Sequence, residues 1–405
     1  MATSSDKAYR EYASYWAIVW EQFRKQRSSY WAMWLIFGLF ALAIYAPVFS
    51  SSQPFVWRGS DGGLSFPWFS SLLFNRNVFE NGVDLFFNLL LVLSPALLVS
   101  FLLIRTRARS MKVSDAARLH RQHLLFWNLI ILAAFIGLML TEPRTALPEY
   151  REFAAAGLES GFALFPPLRI HYEDTLHGVT GPGIVHVLGQ DNAGRDIFVR
   201  LLYGTRVSLS IGVIAVSIYI TIGIVLGSIA GYFGGRTDIV VVRLIEIFLC
   251  FPAFFLILTF IGFLDQPSIA WVMVIIGLIG WTGPARLVRG EFLRLRNIDF
   301  VAAARALGLS NTRIIFRHIL PNAMGPVLVN ATFGVASAVL IESTLSFLGF
   351  GDPTLPSWGR ILAFGRSTSD TQMMLIAGFA IFVTVSAFNM AGEGIRDALD
   401  PKLRK

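Results

Sequence analysis

The sequence predicts an all-α, polytopic membrane protein built as a bundle of about eight transmembrane helices. Three observations carry that expectation. The 405 residues are 55% hydrophobic and only 15% charged, where soluble domains run at about 25% charged, so there is too little charge to coat several aqueous domains. Eight stretches reach the length at which about 20 apolar residues, each adding about 1.5 Å, cross about 30 Å of hydrocarbon. Basic residues also gather in alternate connecting loops, as the orienting bias of membrane proteins requires. A soluble enzyme, a disordered chain and a fibrous chain are excluded together.

In chain order, residues 1–29 are polar and mixed in charge, with no short apolar core and cleavage site, and read as a cytoplasmic amphipathic segment rather than a signal peptide. Spans are predicted at 30–49, 84–104, 124–140, 207–231, 245–264, 268–288, 323–345 and 372–392. The third is short, and Arg243 and Glu246 crowd the fifth. Pro252 and the cluster Gly280, Gly283, Pro284 are placed to bend the fifth and sixth. The first span and a hairpin around a basic loop, Arg105–His123, make up 30–140. An exterior segment rich in Gly, Pro and His covers 141–206, and a core of closely spaced helices covers 207–401, with a long loop at 289–322.

Eight spans put both termini on one side. With that side inside, the interior segments carry 24 of the 34 Lys and Arg, whereas the exterior stretches 50–83 and 141–206, with the boundary residue Asp84, hold eight basic and eleven acidic residues. The net charge of +8 is therefore read as topology and not as nucleic-acid binding. The single cysteine, Cys250, excludes a disulfide framework or a cysteine metal site within one chain. No internal repeat is visible, which argues against an inverted-repeat carrier.

The loop 289–322 is the most informative segment. Asp299-Phe300-Val301-Ala302-Ala303-Ala304-Arg305-Ala306-Leu307 reads as a helix, Gly308 as a turn, and the run from Ser310 or Asn311 as a second helix with that residue as its cap. Pro321 is expected to punctuate the start of the next span. Alanines keep the profile low, so another surface can approach closely. Phe300, Leu307, Ile314, Ile315 and Phe316 are more apolar surface than a loop of this length can bury by itself, which calls for a partner or the bilayer surface.

This segment resembles the cytoplasmic "EAA" loop of binding-protein-dependent ABC transporter permeases, matching at Ala303, Ala304, Gly308, Leu320 and Pro321. It departs at Ala302, where that pattern has Glu, and at His318, where it has an apolar residue, although His318 is usual in the peptide and nickel branch. Leu188-Gly189-Gln190-Asp191-Asn192-Ala193-Gly194-Arg195-Asp196 with Gly204-Thr205-Arg206-Val207-Ser208-Leu209 resembles the start of the core in the dipeptide, oligopeptide, nickel and microcin C-like class. So do Glu342 to Gly351 with Pro356-Ser357-Trp358-Gly359, and the ending Asn389, Gly394 to Pro401.

The resemblance implies a type I ABC importer permease core of five helices plus a first helix, here with an extra hairpin. It also implies a multi-pass inner-membrane subunit that carries peptides or peptide-like solutes. Its partners would be a second permease, two ABC ATPase subunits that bind ATP and magnesium, and an extracytoplasmic binding protein. Coupling to the ATPases falls to Ala302, Ala303, Ala304, Arg305, Gly308, Leu309, Leu320 and Pro321, with Val301–Leu309 moving as a lever. No catalytic, cofactor or metal residue is expected in this chain.

Other readings were weighed on the residues. Gly189-x4-Gly194 has the glycine spacing of a P-loop but not its Lys and Ser/Thr. His120 and His123 stand at helical spacing but read as a solvated basic face, and His171, His177 and His186 are scattered. Glu342 is the one clear intramembrane acid, placed either at the translocation path or outer gate, or snorkelling at the interface. Gly223, Gly227 and Gly231 suit close helix packing. An ion-coupled carrier would need more intramembrane carboxylates or His than Glu342, and an intramembrane enzyme would need a nucleophile with a base, which the spans lack.

Overall fold

A computed structural model describes residues 15–58, 63–74, 81–108, 111, 113–140, 162–175, 186–265 and 268–400. His177 and Pro401 and parts of the 1–29, 141–206 and basic-loop segments lie outside them. The chain divides into two compact units, one of residues 1–39 with 207–405 and one of residues 40–206.

The helices are α1 (Tyr15–Lys25), α2 (Arg27–Phe49), α3 (Pro67–Phe74), α4 (Gly82–Ala108), α5 (Val113–Leu140), α6 (Ile197–Phe233), α7 (Gly235–Leu249), α8 (Ala253–Gly262), α9 (Ile269–Gly280), α10 (Thr282–Leu295) and α11 (Asp299–Ala306). They are followed by α12 (Asn311–Phe347), α13 (Trp358–Ser367) and α14 (Thr371–Leu399). Six of them, α2, α4, α5, α6, α12 and α14, are long and apolar enough to cross a membrane unaided, and two bent pairs bring the number to eight.

The fifth predicted span, 245–264, is thus not one helix. α7 and α8 meet at 76°, where Pro252 is extended (φ −62°, ψ 121°) and a residue before proline disfavours the helical region. The sixth span bends by 40° between α9 and α10. There Pro284 has no N–H to offer the carbonyl of Gly280 one turn back. The third span is longer than expected, since α5 has 28 residues.

Within the larger unit, α12, α13 and α14 pack together and α10 lies against α12. α6 meets α10 across Gly223, Gly227 and Gly231. A Cβ at Gly227 would stand 2.6 Å from the Ala285 carbonyl, and one at Gly231 would stand 2.5 Å from Phe292 Cβ. Only hydrogen fits there, so the glycine spacing serves packing. α1 folds back on α14, burying Val19 and Phe23 against Ala398, and Gln26 Nε2 donates to Asp397 at 3.3 Å.

The smaller unit adds what an all-α reading omits, a three-stranded antiparallel sheet of β1 (Val56–Arg58), β2 (Leu64–Ser65) and β3 (Phe162–Leu164) in the order β2-β1-β3. Trp57 faces Ser65 on one side and Ala163 on the other. α4 and α5 pack against each other. Pro95 leaves the Leu91 carbonyl without its helical donor, and Ser94 Oγ supplies one at 2.8 Å.

The centre of this unit is a buried ion pair, Arg206 Nη1 to Asp84 Oδ1 at 3.0 Å. Pro47 deprives the Ala43 carbonyl of its helical partner, and Arg206 Nε donates to that oxygen at 2.6 Å while Nη2 donates to Ile44 O at 3.2 Å. Tyr203 and Phe87 present ring faces to the guanidinium at 5.3 and 5.5 Å. The His171 ring packs tilted against Tyr172 and edge-on to Tyr203. Burial, helped by the Arg206 charge, pushes the His171 pKa down to about 3. Burial and then the Asp84 charge push the Tyr172 phenol up.

Candidate functional site

Two places in the larger unit concentrate the residues singled out from sequence. The first is the elbow between α10 and α12. α11 is eight residues long, and its chain reverses at Gly308, whose φ of +71° a side chain would strain. Leu309 N–H reaches back to Ala304 O at 3.2 Å and Gly308 N–H to Arg305 O at 2.9 Å, closing the turn. Ser310 then caps the next helix by accepting from Arg313 N–H at 3.4 Å.

Pro321 stands in the first turn of the regular helix that begins at Leu320, as expected for the entry to the span. α12 runs on through a π turn over Ile314–Ile319, with Leu320 N–H bonding five residues back to Ile315 O. Pro321 cannot donate and would crowd the Arg317 carbonyl in a regular helix, and the extra residue in the π turn makes room for it. Asn322 Nδ2 donates to the nearby His318 carbonyl at 2.7 Å. The helix therefore passes unbroken from the elbow into the span.

The elbow has an inner and an outer face. Val301, Ala304, Ile314, Ile315 and Ile319 bury against Tyr232 of α6 and Val288, Phe292 and Leu295 of α10. Ala304 is thus a correction to the sequence reading: at 4% exposure it fills this chain's own core rather than a partner's groove. Its small size is needed because the helices close on it. Ala302, Ala303, Arg305 and Gly308 are exposed, as is Pro321, whereas Leu309 and Leu320 are half-buried against the inner core. Leu307 projects with 80% of its surface free.

Polar clamps hold the elbow to the bundle. Tyr232 OH donates to Asn311 Oδ1 at 2.7 Å, and the Arg305 guanidinium lies 5.2 Å over the Tyr232 ring. Arg296 Nη1 donates to Gly231 O at 3.1 Å. Arg289 grips the Asp238 carboxylate with two donors, one of them at 2.8 Å. The elbow is accordingly packed against α6 and α10 and continuous with α12.

The second place surrounds Glu342. It does not snorkel: only 3% of it is exposed. Its Oε1 accepts from Ser346 Oγ at 2.7 Å, and Ser357 Oγ stands 3.4 Å from Ser346 Oγ. The chain after α12 folds back tightly here, since a Cβ at Gly359 would come within 2.5 Å of Ser343 Cα. Trp358 N–H donates to Ser208 Oγ at 3.3 Å, so the motif around Glu342 to Gly359 meets the one around Arg206 to Leu209. A cavity of about 10 Å³ beside Glu342, Ser346 and Ser357 has room for about one water.

The remaining candidates resolve structurally. In the loop at 188–196 the Asp191 carboxylate accepts from the Ala193 and Arg195 N–H groups at 2.9 and 3.0 Å. A phosphate would need those donors, so the loop is not a phosphate cradle. Asp196 caps α6 through Val199 N–H at 2.8 Å and meets His186 Nδ1 at 2.7 Å. His123 Nε2 pairs with Ser100 Oγ at 3.1 Å and His120 is exposed. Among the described residues no three His, Cys, Asp or Glu gather as a metal-binding group. The Arg206–Asp84 pair was missed from sequence, although an arginine within an apolar run was its signal.

Up to eight helical spans long and apolar enough to cross a bilayer mark a multi-pass membrane protein. The family described as the binding-protein-dependent transport system inner membrane component matches residues 223–405, and the N-terminal transmembrane domain of oligopeptide transport permease C matches residues 14–60. The dipeptide transport system permease protein DppC of Alkalihalophilus pseudofirmus is 40% identical over 249 residues, 60% of this chain and 82% of that protein. The oligopeptide transport system permease protein OppC of Bacillus subtilis is 39% identical over 251 residues, again 60% and 82%. The glutathione transport system permease protein GsiD of Pectobacterium atrosepticum is 38% identical over 55% of this chain and 75% of its own. A chain of the inward-facing methionine ABC transporter MetNI aligns with 50% of this chain and 97% of its own length at 19% identity, with a TM-score of 0.41. The chain belongs to the family of binding-protein-dependent ABC transport permeases.

Proposed function

We propose that this chain is the membrane-spanning permease subunit of an ATP-driven importer for peptides or peptide-like solutes. It pairs with a second permease, takes solute from an extracytoplasmic binding protein, and is driven by two ATPase subunits that hold the ATP and magnesium. It hydrolyses no ATP itself. Both termini and the elbow lie in the cytoplasm. In this reading 1–29 is a cytoplasmic amphipathic segment, 30–140 the first span with an accessory hairpin, 141–206 exterior, and 207–401 the permease core.

The observation that carries the mechanism is the two-faced elbow. Its inner face is packed and hydrogen-bonded to α6, α10 and α12, while Leu307 stands free in a segment that otherwise ends in small, exposed alanines. Phe300 and Phe316 of the same segment are exposed as well, and apolar surface gathered in this way suits a partner. ATPase closure pushes on Ala302, Ala303, Arg305, Leu307 and Gly308, and the movement passes through the unbroken α12 into the bundle, with Leu309, Leu320 and Pro321 as its root. Glu342, at the far end of α12, ties that end to α13 and serves as an outer gate residue.

The test is reconstitution of the four-part complex in proteoliposomes with its binding protein. ATP-dependent uptake that requires the binding protein, and that stops when Gly308→Asp is introduced while the subunits remain associated, supports the reading. Uptake that persists without any ATPase subunit contradicts it.

A further inference from the structure

We infer that the basic end of the α4–α5 pair is a binding site for an anionic phospholipid, whose phosphate is held by Arg105, Arg118 and Arg121. The inference takes from the reading above only that α4 and α5 cross the bilayer, and not which solute is carried. The pair lies outside both matched regions, 14–60 and 223–405, and the importer mechanism gives it no task. Residues 105–123 carry six Lys and Arg against a single acid, Asp115. Orientation does not call for so many, since the other interior segments already hold 18 Lys and Arg against ten outside. A cluster of about four to eight basic residues directly beside a span attracts anionic lipid headgroups.

The packing of the two helices gathers three of these charges. Phe86 meets Phe135 edge-on with ring centroids 5.9 Å apart, and His123 Nε2 pairs with Ser100 Oγ at 3.1 Å. α4 and α5 therefore run antiparallel in a fixed register. Five residues on from Ser100 and five back from His123, Arg105 and Arg118 come level with each other, about 7.5 Å beyond that contact. By the same register Arg121 comes level with Leu102, nearly one turn deeper. All three arginines are exposed. Among the described residues none of them meets a carboxylate, whereas Arg243 and Arg294 are paired with Glu246 and Glu291 on their own helices.

Lipid has free access to this end. No described residue of Arg118–Leu140 is buried within the chain, and Leu102 and Leu125 are exposed on the bilayer side of the arginines. A guanidinium level with exposed leucines turns its head outward to the phosphate plane, leaving its stem along the apolar surface. Guanidinium groups match phosphate oxygens in pairs. Acyl chains against the leucines and a phosphodiester against the arginines belong to one molecule, a phospholipid of net negative charge. A zwitterionic headgroup brings a cation of its own, which the cluster repels.

The experiment is native mass spectrometry of the full chain in its complex, released from detergent micelles titrated with phosphatidylglycerol or phosphatidylcholine. Phosphatidylglycerol should be retained preferentially. The triple variant Arg105→Gln, Arg118→Gln, Arg121→Gln should weaken its binding by about fivefold per guanidinium, roughly a hundredfold in all. Phosphatidylcholine retention should not change. Arg105→Lys, Arg118→Lys and Arg121→Lys together should keep most of the affinity, which separates lost charge from lost fold. Unchanged phosphatidylglycerol binding in the glutamine variant overturns the inference. So does an equal loss in Arg313→Gln with Arg317→Gln, because any basic surface would then serve. Displacement of the lipid by an equal concentration of inorganic phosphate makes this a site for the free anion and overturns the lipid assignment. Loss of the ATPase subunits with lipid binding intact makes the basic end a protein contact and overturns it as well. None of these readouts measures uptake, so the importer reading can fail without touching them.

Discussion

Replacing Leu307 by Asp separates the elbow's outer face from its inner one. Leu307 is 80% exposed within the chain and Gly308 beside it has open space around it, so the substitution should alter the subunit's own stability by less than about 0.5 kcal/mol, the usual range for surface changes. Docking is another matter. Fully burying a leucine is worth about 1.5–3 kcal/mol, and four-fifths of that remains to be gained on contact with a partner. An aspartate there forgoes the gain and adds a desolvation cost, so docking should weaken by at least about 2 kcal/mol, roughly 30-fold. The assay is titration of the ATPase subunits onto the permease pair in detergent, with melting temperature as the control for folding. Ala304→Glu provides the contrast: a charge placed among Val301, Phe292 and Ile314 should lower the melting temperature and disorder the elbow itself. Equal ATPase affinity for Leu307→Asp and the unaltered protein would refute the assignment of the outer face.

Three further outcomes follow from the packing and the charges. Gly227→Ala should force α6 and α10 apart, since its Cβ would lie 2.6 Å from a backbone oxygen; a loss of about 1–3 kcal/mol, typical of overpacking, should show in denaturant titration. Asp84→Asn leaves Arg206 buried without its counter-charge and should cost about 3–5 kcal/mol, read as a lowered unfolding midpoint. His171 has a pKa near 3 when folded and about 6.5 when unfolded, so below pH 6.5 only the unfolded chain takes up the proton. Stability is complete above that pH and is lost as pH falls toward 3, by about 2 kcal/mol between pH 6.5 and 5; melting curves across that interval should show the slope, and His171→Phe should flatten it.

Much of this architecture was legible in the sequence, for identifiable physical reasons. Membrane spans are written in runs of apolar residues, and six of the eight each fall on one long apolar helix while the other two fall on bent pairs, because length and composition decide them. The bends were legible too, since Pro252 and Pro284 remove specific hydrogen bonds. The turn at Gly308 was read from residue type, and the cap was narrowed to Ser310 or Asn311, of which the structure uses Ser310. The failures have causes of their own. Pro321 was expected to punctuate entry to the span, and it does stand in the first turn of the regular helix from Leu320. The π turn before it, which keeps the chain helical, had no signal in sequence. Ala304 looked like its neighbours Ala302 and Ala303, because three adjacent alanines give no sign of which one faces inward. Glu342 was left between a buried and an interfacial position, since neither Ser346 nor Ser357 betrays in sequence that it folds over the carboxylate. The partners of Arg206 lie on two other helices, and such long-range pairing has no local pattern.

The most direct test of the account is thiol labelling of one engineered residue. With the native Cys250 changed to Ser and Leu307 changed to Cys, a membrane-impermeant maleimide should modify the protein in inside-out vesicles stripped of ATPase subunits and fail to do so in intact cells. Adding the ATPases back should block the reaction. Labelling from the outside of intact cells, or labelling inside that is indifferent to the ATPases, would contradict the claim that this elbow is where the motor takes hold.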